Sequence, residues 1–181
     1  MISFNVPIKD GKSVVIRRAK KGDEYGYADV SARCYCETRF LSRCTLDDMP
    51  SAEDLLGFIE EVEHSDKEVL LVAVCDNLIV GCGDITACLN KEKMKHKCDL
   101  NVSVLKDYWH MGIGKALVSS LVEFAGKAGY EQVNLNVASD NLRAIGLYEH
   151  LGFCATGREV HAMKHADGDY SDFIFMTKLL T

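Results

Sequence analysis

Alternating apolar and polar residues predict several strands in this chain. In KCDLNVSVL (97–105), every second residue is apolar, as in a strand with one buried face. SVVIRRA (13–19) and QVNLNV (132–137) are also predicted to be strands. These three segments are the predicted strands that do not belong to a hairpin.

Two longer stretches predict hairpins. EVLLVAVCDNLIVGCGDITAC (68–88) consists of two apolar runs around a tight Asp76–Asn77 turn. FCATGREVHAMKH (153–165) and YSDFIFMTKLL (170–180) flank Asp167–Gly168, which indicates a second hairpin turn.

Apolar residues that recur every three or four positions predict the helices. One helix begins near Asp23, and another begins at Ser51, which has the spacing of a capping box with Asp54. Residues 113–128 form the clearest helix, and Gly129 is placed to end it.

A shorter helix over 141–151 completes the order β-α-α-β-β-β-α-β-α-β-β. This order predicts a mixed sheet with helices, because it does not alternate strand and helix regularly. The sequence contains no internal repeat, low-complexity tract or linker, so residues 1–181 are predicted to be one domain. That length is sufficient for a sizeable core.

Composition narrows the functional classes. The net charge is −6 at pH 7, which argues against a nucleic-acid partner and leaves room for a cationic one. No apolar run approaches the roughly 20 residues that span a bilayer, and the N-terminus has no secretory signal. We therefore expect a cytoplasmic protein with no membrane partner.

The eight cysteines do not predict a metal or disulfide framework. No C-x-x-C pair is present, and Cys34-x-Cys36 or His96 with Cys98 are poor zinc signatures. Reduced thiols are the expected state in the cytosol, and no metal site is predicted.

The segment YWHMGIGKAL (108–117) places two glycines between a predicted strand and a predicted helix. Glycine lowers helix stability by roughly 0.5–1 kcal/mol relative to alanine, so helix propensity does not explain this choice. Free N–H groups and the helix dipole at such a junction favour an anion, typically phosphate, and Lys115 adds a full positive charge. The main chain of residues 110–115 is therefore a predicted anion site.

Neither common nucleotide motif is complete in this segment. The dinucleotide pattern G-x-G-x-x-G fails at Leu117, and the P-loop pattern fails at Trp109 and Ala116. On these residues alone, a simple packing or turn role for Gly112 and Gly114 stays open.

Downstream, NLRAIGLYEHLGF (141–153) carries two further candidate residues. Asn141 and Tyr148 are seven residues apart, which places them two turns apart on one side of the short helix. Taken singly, Asn141 is also a favoured helix N-cap, and Tyr148 is also an ordinary core aromatic residue.

Together, VSVLKDYWHMGIGKAL and NLRAIGLYEHLGF resemble the GNAT superfamily of N-acetyltransferases. The family signature Q/R-x-x-G-x-G/A aligns with residues 109–114, with Trp109 in place of the usual Gln or Arg. The resemblance is specific over about residues 70–155 and looser over 13–69. The family's second segment, N-x-x-A-x-x-L-Y-x-x-x-G-F, matches Asn141, Ala144, Leu147, Tyr148, Gly152 and Phe153.

The resemblance implies an α/β (mixed α+β) fold, with a mostly antiparallel central sheet of about six to seven strands flanked by helices. It also implies acetyl-CoA as cosubstrate, with its acetyl group transferred to a primary amine by direct attack. The implied acetyl-CoA contacts are His110, Met111, Gly112, Ile113, Gly114 and Lys115 at the diphosphate, Val102, Ser103 and Val104 along the pantetheine, and Asn141 and Tyr148.

The resemblance further implies catalytic roles. Tyr148 is the candidate acid for the departing thiolate, and an N–H near Val104 is a candidate donor to the acyl oxygen. Asp99 is the first candidate base and Glu37 the second, although Asp99 is equally compatible with a solvated edge carboxylate.

Other classes of function stay open at this point. The chain is alternatively a catalytically inactive CoA-binding module, or an unrelated α/β domain with packing glycines. The acceptor is not specified, and exposed sheet edges permit homodimerisation. The regions expected to shape the acceptor site are 33–50 and 158–172, which contain Glu37, Arg39, Arg43, His161, His165 and Asp172.

Overall fold

The computed structural model describes residues 3–8, 11–41, 50–88 and 92–180. The strands in these ranges are β1 Ser3–Pro7, β2 Ser13–Arg18, β3 Val69–Cys75, β4 Leu78–Ala87, β5 Lys97–Val104, β6 Gln132–Ala138, β7 Cys154–Lys164 and β8 Tyr170–Leu179. The helices are α1 Glu24–Glu37, α2 Ala52–Glu63, α3 Ile113–Lys127 and α4 Leu142–His150.

All the strands belong to one sheet, in the order β1-β2-β3-β4-β5-β6-β8-β7. Neighbouring strands are antiparallel except β5 and β6, which are parallel. Every predicted strand is confirmed, and the described sheet gains β1, which the sequence analysis did not predict. β1 is a short, exposed edge strand that ends in Pro7, and its alternation spans only Ser3–Val6, the shortest length that indicates a strand.

The sheet is split between its two parallel strands. β5 and β6 pair only at Lys97–Asp99 with Gln132–Asn134, and their pairing ends there. Beyond that point, Leu100–Val104 pair only with β4, whereas 135–138 pair only with β8. The C-terminal halves of β5 and β6 therefore bound an open wedge in the sheet.

Helix α3 is packed closely against the sheet beside this wedge. Leu117 and Leu121 are fully buried, and Gly81 and Gly83 of β4 let the helix approach the sheet closely. A Cβ at Gly83 would lie 2.9 Å from Leu121 Cδ1 and 2.8 Å from Asn101 O, so no larger residue fits without a shift. This packing fixes the N-terminus of α3 at the mouth of the wedge.

Local signals account for the element boundaries. The Ser51–Asp54 capping box is present at α2, with Asp54 N donating to Ser51 Oγ over 3.1 Å. The hairpin turn at Asp76–Asn77 uses left-handed φ angles of 48° and 65°. Gly129, with φ of 82°, follows the end of α3 as predicted. Within the described ranges, no helix is long and apolar enough to cross a lipid bilayer.

Candidate active site

Two adjoining cavities occupy the wedge. The glycine-loop cavity has a volume of about 300 Å³ and is lined by the β5–α3 loop and α4. The carboxylate cavity has a volume of about 390 Å³ and is lined by β4, β5 and the segment after α1. The residues that line both cavities are Phe40, Leu41, Val102, Ser103, Asn136 and Tyr148.

The exposed edge of β5 presents unpaired backbone groups to the wedge. Leu105 N donates to Val80 O over 3.0 Å, so the polar groups of Leu105 face β4. Because successive residues of a strand point their polar groups to opposite sides, those of Val102 and Val104 face the wedge. Trp109 Nε1 donates to Val104 O over 2.7 Å from that side, which agrees with this orientation. A ligand in the wedge therefore meets backbone N–H groups that donate to no neighbouring strand.

The glycine loop forms a concave main-chain surface at the start of α3. Gly112 is the N-cap, with a left-handed φ of 85°, and His110 also has a positive φ of 62°. Gly112 lines the glycine-loop cavity, and a Cβ at this position would meet no atom within 4 Å. The first N–H groups of the helix lack intrahelical acceptors and, with the helix dipole, favour an anion. This main-chain geometry is compatible with the predicted anion site.

Helix α4 forms the opposite wall of the glycine-loop cavity. Asn141 is its N-cap, and Asn141 Oδ1 accepts from Ala144 N over 3.2 Å. The capping hydrogen bond uses only Oδ1, so the Nδ2 group remains available as a donor. Asn141 also lines the glycine-loop cavity. The structural and the ligand-binding interpretations of Asn141 are therefore compatible.

Tyr148 lies where the two cavities meet. Its side chain is 7% exposed and packs edge-to-face on Phe153, with ring centroids 5.8 Å apart. Burial raises the pKa of Tyr148 to about 12, and the charge of Arg143 acts in the opposite direction. The phenol is consequently protonated at neutral pH and is a hydrogen-bond donor rather than a base.

Two carboxylates line the second cavity together with Tyr148. Asp99, predicted from the sequence, lies at the last pair of β5 with β6. Asp84, which the sequence analysis missed, is 8% exposed and accepts from Asn101 Nδ2 over 2.9 Å. One signal was available, because Asp84 is the only charged residue in the apolar strand β4.

Several residues that the sequence analysis proposes for the site line neither cavity. Glu37 Oε2 accepts from Lys106 N over 2.7 Å, so this carboxylate holds the β5–α3 loop rather than lining either cavity. His161 stacks on Tyr170, and His161 N donates to Asp172 over 2.7 Å on the β7–β8 hairpin, away from both cavity linings.

The rest of the predicted acceptor region is divided between surface contacts and the cavity wall. Arg39 pairs with Asp140 at 3.4 Å and with Asp167 at 4.0 Å, joining the segment after α1 to the hairpin tip. His165 contacts Ser171 at 2.7 Å. Arg43 lies outside the described residues. The aromatic residues Phe40 and Phe173 supply the cavity walls instead.

The thiols in the cavity walls are unsuited to nucleophilic attack. Cys34 lines the glycine-loop cavity, and burial raises its pKa to about 12. Cys82 lines the carboxylate cavity, and complete burial raises its pKa well above the usual value. Both thiols are protonated at neutral pH, whereas the thiolate is the nucleophilic form. This agrees with a reaction that needs no cysteine intermediate.

Comparison with known proteins connects this geometry to a family. The family model for the Acetyltransferase (GNAT) family matches residues 37–153. The crystal structure of a GNAT-family acetyltransferase from Streptococcus pneumoniae matches with 28% identity and a TM-score of 0.86, covering 92% of this chain and 99% of that one.

A second solved structure shares the fold. It is a GNAT superfamily phosphinothricin acetyltransferase from Sinorhizobium meliloti in complex with acetyl-CoA, with 19% identity and a TM-score of 0.81. The alignment covers 92% of this chain and 88% of that one.

Curated relatives match over shorter stretches. Human N-acetyltransferase 8B is 41% identical over 58 residues, which are 32% of this chain and 26% of the relative. The chain thus spans about a quarter of the length of this relative.

Proposed function

The chain belongs to the acetyltransferase (GNAT) family, and from that premise we propose that it transfers the acetyl group of acetyl-CoA to an amine. The observation that carries this proposal is the wedge between β5 and β6, where unpaired strand edge, glycine loop and buried tyrosine meet. These are the features required to hold a diphosphate, an extended amide-bearing arm and a thioester in one continuous site.

The residues around the wedge fit acetyl-CoA. The N–H groups of residues 110–115 would hold its diphosphate, aided by the charge of Lys115. The edge of β5 at Val102–Val104 would bind the pantetheine amides as a neighbouring strand would. Asn141 Nδ2 would add a donor from the opposite wall. When bound, acetyl-CoA supplies an activated acyl group.

Tyr148 and Val104 are proposed to act on opposite ends of the reacting thioester. The N–H of Val104 faces the wedge and would donate to the acyl oxygen as negative charge develops on it. As the amine nitrogen bonds to the acyl carbon and the C–S bond breaks, Tyr148 Oη would donate a hydrogen bond to the sulfur. The phenolic proton then passes to the thiolate and yields free CoA.

The acceptor amine must lose a proton, and the carboxylate cavity supplies the base. Asp84 pairs across the sheet with Asn101, three residues from Val104, or about 10 Å along the strand. Asp99 is five residues from Val104, or about 16 Å. This difference favours Asp84 as the proton acceptor, directly or through a water molecule, over Asp99, which the sequence analysis predicts for that role.

An acceptor screen tests the activity. Purified protein is mixed with acetyl-CoA and a panel of amines that includes small amines, amino-acid derivatives, antibiotics and peptides with free N-termini. Release of CoA thiol is followed, and mass spectrometry identifies an acetylated product. We expect amine-dependent thiol release with at least one class. Binding of CoA without transfer to any acceptor would favour a catalytically inactive CoA-binding module.

Asparagine variants of the two carboxylates test the base assignment. Asp84→Asn is expected to lower kcat/KM for the best acceptor by about 100-fold, a typical contribution of general base catalysis. Asp99→Asn should lower it by less than about tenfold, because Asp99 lies farther from Val104. Both variants remove one charge from the same cavity, so each controls for the other. A larger defect in Asp99→Asn would transfer the role to Asp99.

A further inference from the structure

Glu37 is the last residue of α1, and its side chain reaches the loop between β5 and α3. Its Oε2 accepts a hydrogen bond from Lys106 N over 2.7 Å, although the two residues are 69 positions apart in the chain. Lys106 begins the short 3₁₀ turn Lys106–Tyr108, which leads from β5 to the glycine loop. The contact therefore joins the end of α1 to the segment that carries the predicted diphosphate site.

Helix energetics do not explain an acidic residue at the end of α1. The C-terminal end of a helix carries partial negative charge, which disfavours a carboxylate there. Arg33 lies one turn earlier and approaches Glu37 Oε1 at 3.7 Å, with a side chain that is 45% exposed. An exposed ion pair of this kind contributes little, whereas a carboxylate that accepts from a backbone N–H forms a comparatively strong hydrogen bond. The contact with Lys106 N therefore gives Glu37 a tertiary role.

The residues directly after Glu37, 38–41, form part of the wall of both cavities and are here named the wall segment. Phe40 and Leu41 line both cavities, and Thr38 lines the glycine-loop cavity. Thr38 has extended backbone angles, with φ of −141° and ψ of 153°, so the helix does not continue into this segment. The position of the wall segment thus depends on how its first end, at Glu37, is held.

The loop that receives Glu37 is held by contacts of its own. Leu105 is 1% exposed, which fixes the chain immediately before Lys106. Trp109 N donates to Lys106 O over 3.1 Å, and Trp109 Nε1 donates to Val104 O over 2.7 Å. Loss of the Glu37 carboxylate would leave these contacts intact. The loop is therefore the anchor, and the wall segment is the part that is anchored.

We propose that Glu37 is a positioning residue for the acceptor amine, because its hydrogen bond to Lys106 N fixes the wall segment beside the carboxylate cavity. This inference rests on the proposed function, in which that cavity receives the amine. Glu37 is not among the described residues that line either cavity, so it acts through Phe40 and Leu41 rather than on the amine itself. Binding of the amine should depend on this hydrogen bond, and binding of CoA should not.

Two substitutions of Glu37 separate anchoring from proton transfer. Glu37→Ala removes the oxygen that accepts from Lys106 N and is expected to raise KM for the best amine about fivefold to tenfold, with kcat changed less than about twofold. Glu37→Gln retains a side-chain oxygen that can accept the same hydrogen bond, so its KM should rise less than about twofold. A general base at Glu37 would instead make both variants lose about 100-fold in kcat.

The donor of the hydrogen bond can be removed independently. Lys106→Pro deletes the N–H, and proline fits the first position of the turn because Leu105 before it has φ of −55° and ψ of 142°. This variant is expected to raise KM for the amine as much as Glu37→Ala does. The double variant should add less than about twofold, because both changes remove the same contact. Lys106→Ala keeps the N–H and removes only the exposed side chain, so it is the matched control and should retain the wild-type KM.

Two further measurements do not depend on turnover. In calorimetric titration, the Kd for CoA should change less than about twofold in every variant, because the loop keeps its own contacts. Amide hydrogen exchange should show faster exchange of the Lys106 N–H in Glu37→Ala than in wild type or Glu37→Gln. Thermal unfolding of each variant verifies that it is folded.

The outcomes distinguish failure of this inference from failure of the proposed function. An active wild-type enzyme whose KM for the amine is unchanged in Glu37→Ala would overturn only the inference. Equal weakening of CoA binding would also overturn it, since Glu37 would then position the glycine loop. A large loss of kcat in Glu37→Gln would make Glu37 the base instead. A wild-type protein that acetylates no amine would overturn the proposed function, and the inference with it.

Discussion

Replacing Tyr148 with phenylalanine is expected to lower kcat for acetyl transfer by about 100-fold or more, with KM for acetyl-CoA changed less than about twofold. The substitution removes only the phenolic hydroxyl and leaves the ring that packs on Phe153. Because the leaving sulfur gains negative charge only as the C–S bond breaks, the lost hydrogen bond belongs to the transition state rather than to ground-state binding.

The raised pKa of Tyr148 determines when its proton moves. A phenol with a pKa of about 12 is roughly 3.5 units weaker as an acid than a thiol of about 8.5, which opposes full transfer by about 5 kcal/mol. The hydroxyl therefore acts first as a hydrogen-bond donor, and its proton passes to sulfur only late, when the thiolate has largely formed.

Steady-state kinetics with thiol detection measures this effect. Tyr130→Phe is the matched control, because Tyr130 is also buried, also has a pKa raised to about 12, and lines neither cavity. It should retain the wild-type kcat. Equal kcat values for wild type and Tyr148→Phe would remove Tyr148 from the mechanism.

Gly112→Ala is expected to weaken CoA binding by about 10- to 100-fold, equivalent to about 1.4–2.8 kcal/mol. Gly112 has a φ of 85°, where an L residue with a side chain is strained by roughly 1–2 kcal/mol. The added methyl group also occupies open space at a residue that lines the cavity, next to the main-chain N–H groups that would meet the diphosphate. Strain and lost contact therefore act in the same direction.

Calorimetric titration with CoA measures the change, and the other end of α3 offers a matched control. Gly126 has no atom within 4 Å of an added Cβ and no positive φ. Gly126→Ala is therefore expected to leave CoA affinity unchanged and to stabilise the helix by roughly 0.5–1 kcal/mol. An unaltered Kd in Gly112→Ala would show that the diphosphate does not contact this loop.

Local sequence signals were enough for the helices and for every described strand except β1. The alternation in 97–105 predicts β5, and Ser51 with Asp54 predicts the start of α2, because caps and periodicity depend on residues a few positions apart. The two glycines before α3 predict the main-chain anion site for the same reason. The family resemblance then added Val102–Val104, Asn141 and Tyr148, which line the glycine-loop cavity.

Asp84 shows what local patterns miss. Its carboxylate lines the carboxylate cavity because β4 pairs with β5 in a register that places Asp84 opposite Asn101. Glu37 shows the reverse, since it was the second candidate base, and the fold directs its carboxylate to Lys106 N instead. Strand register and chain packing decide where both carboxylates lie, and a short stretch of sequence predicts neither register nor packing.

The sequence by itself therefore determined the helices, the strands other than β1, the glycine loop and the family of this protein. Only the tertiary structure decided that β5 and β6 part after three residue pairs and that Asp84 shares a cavity with Tyr148. Periodicity, capping and turn chemistry act over a few residues, whereas these contacts join segments that are far apart along the chain. Their partners are set by how the whole sheet and its helices pack.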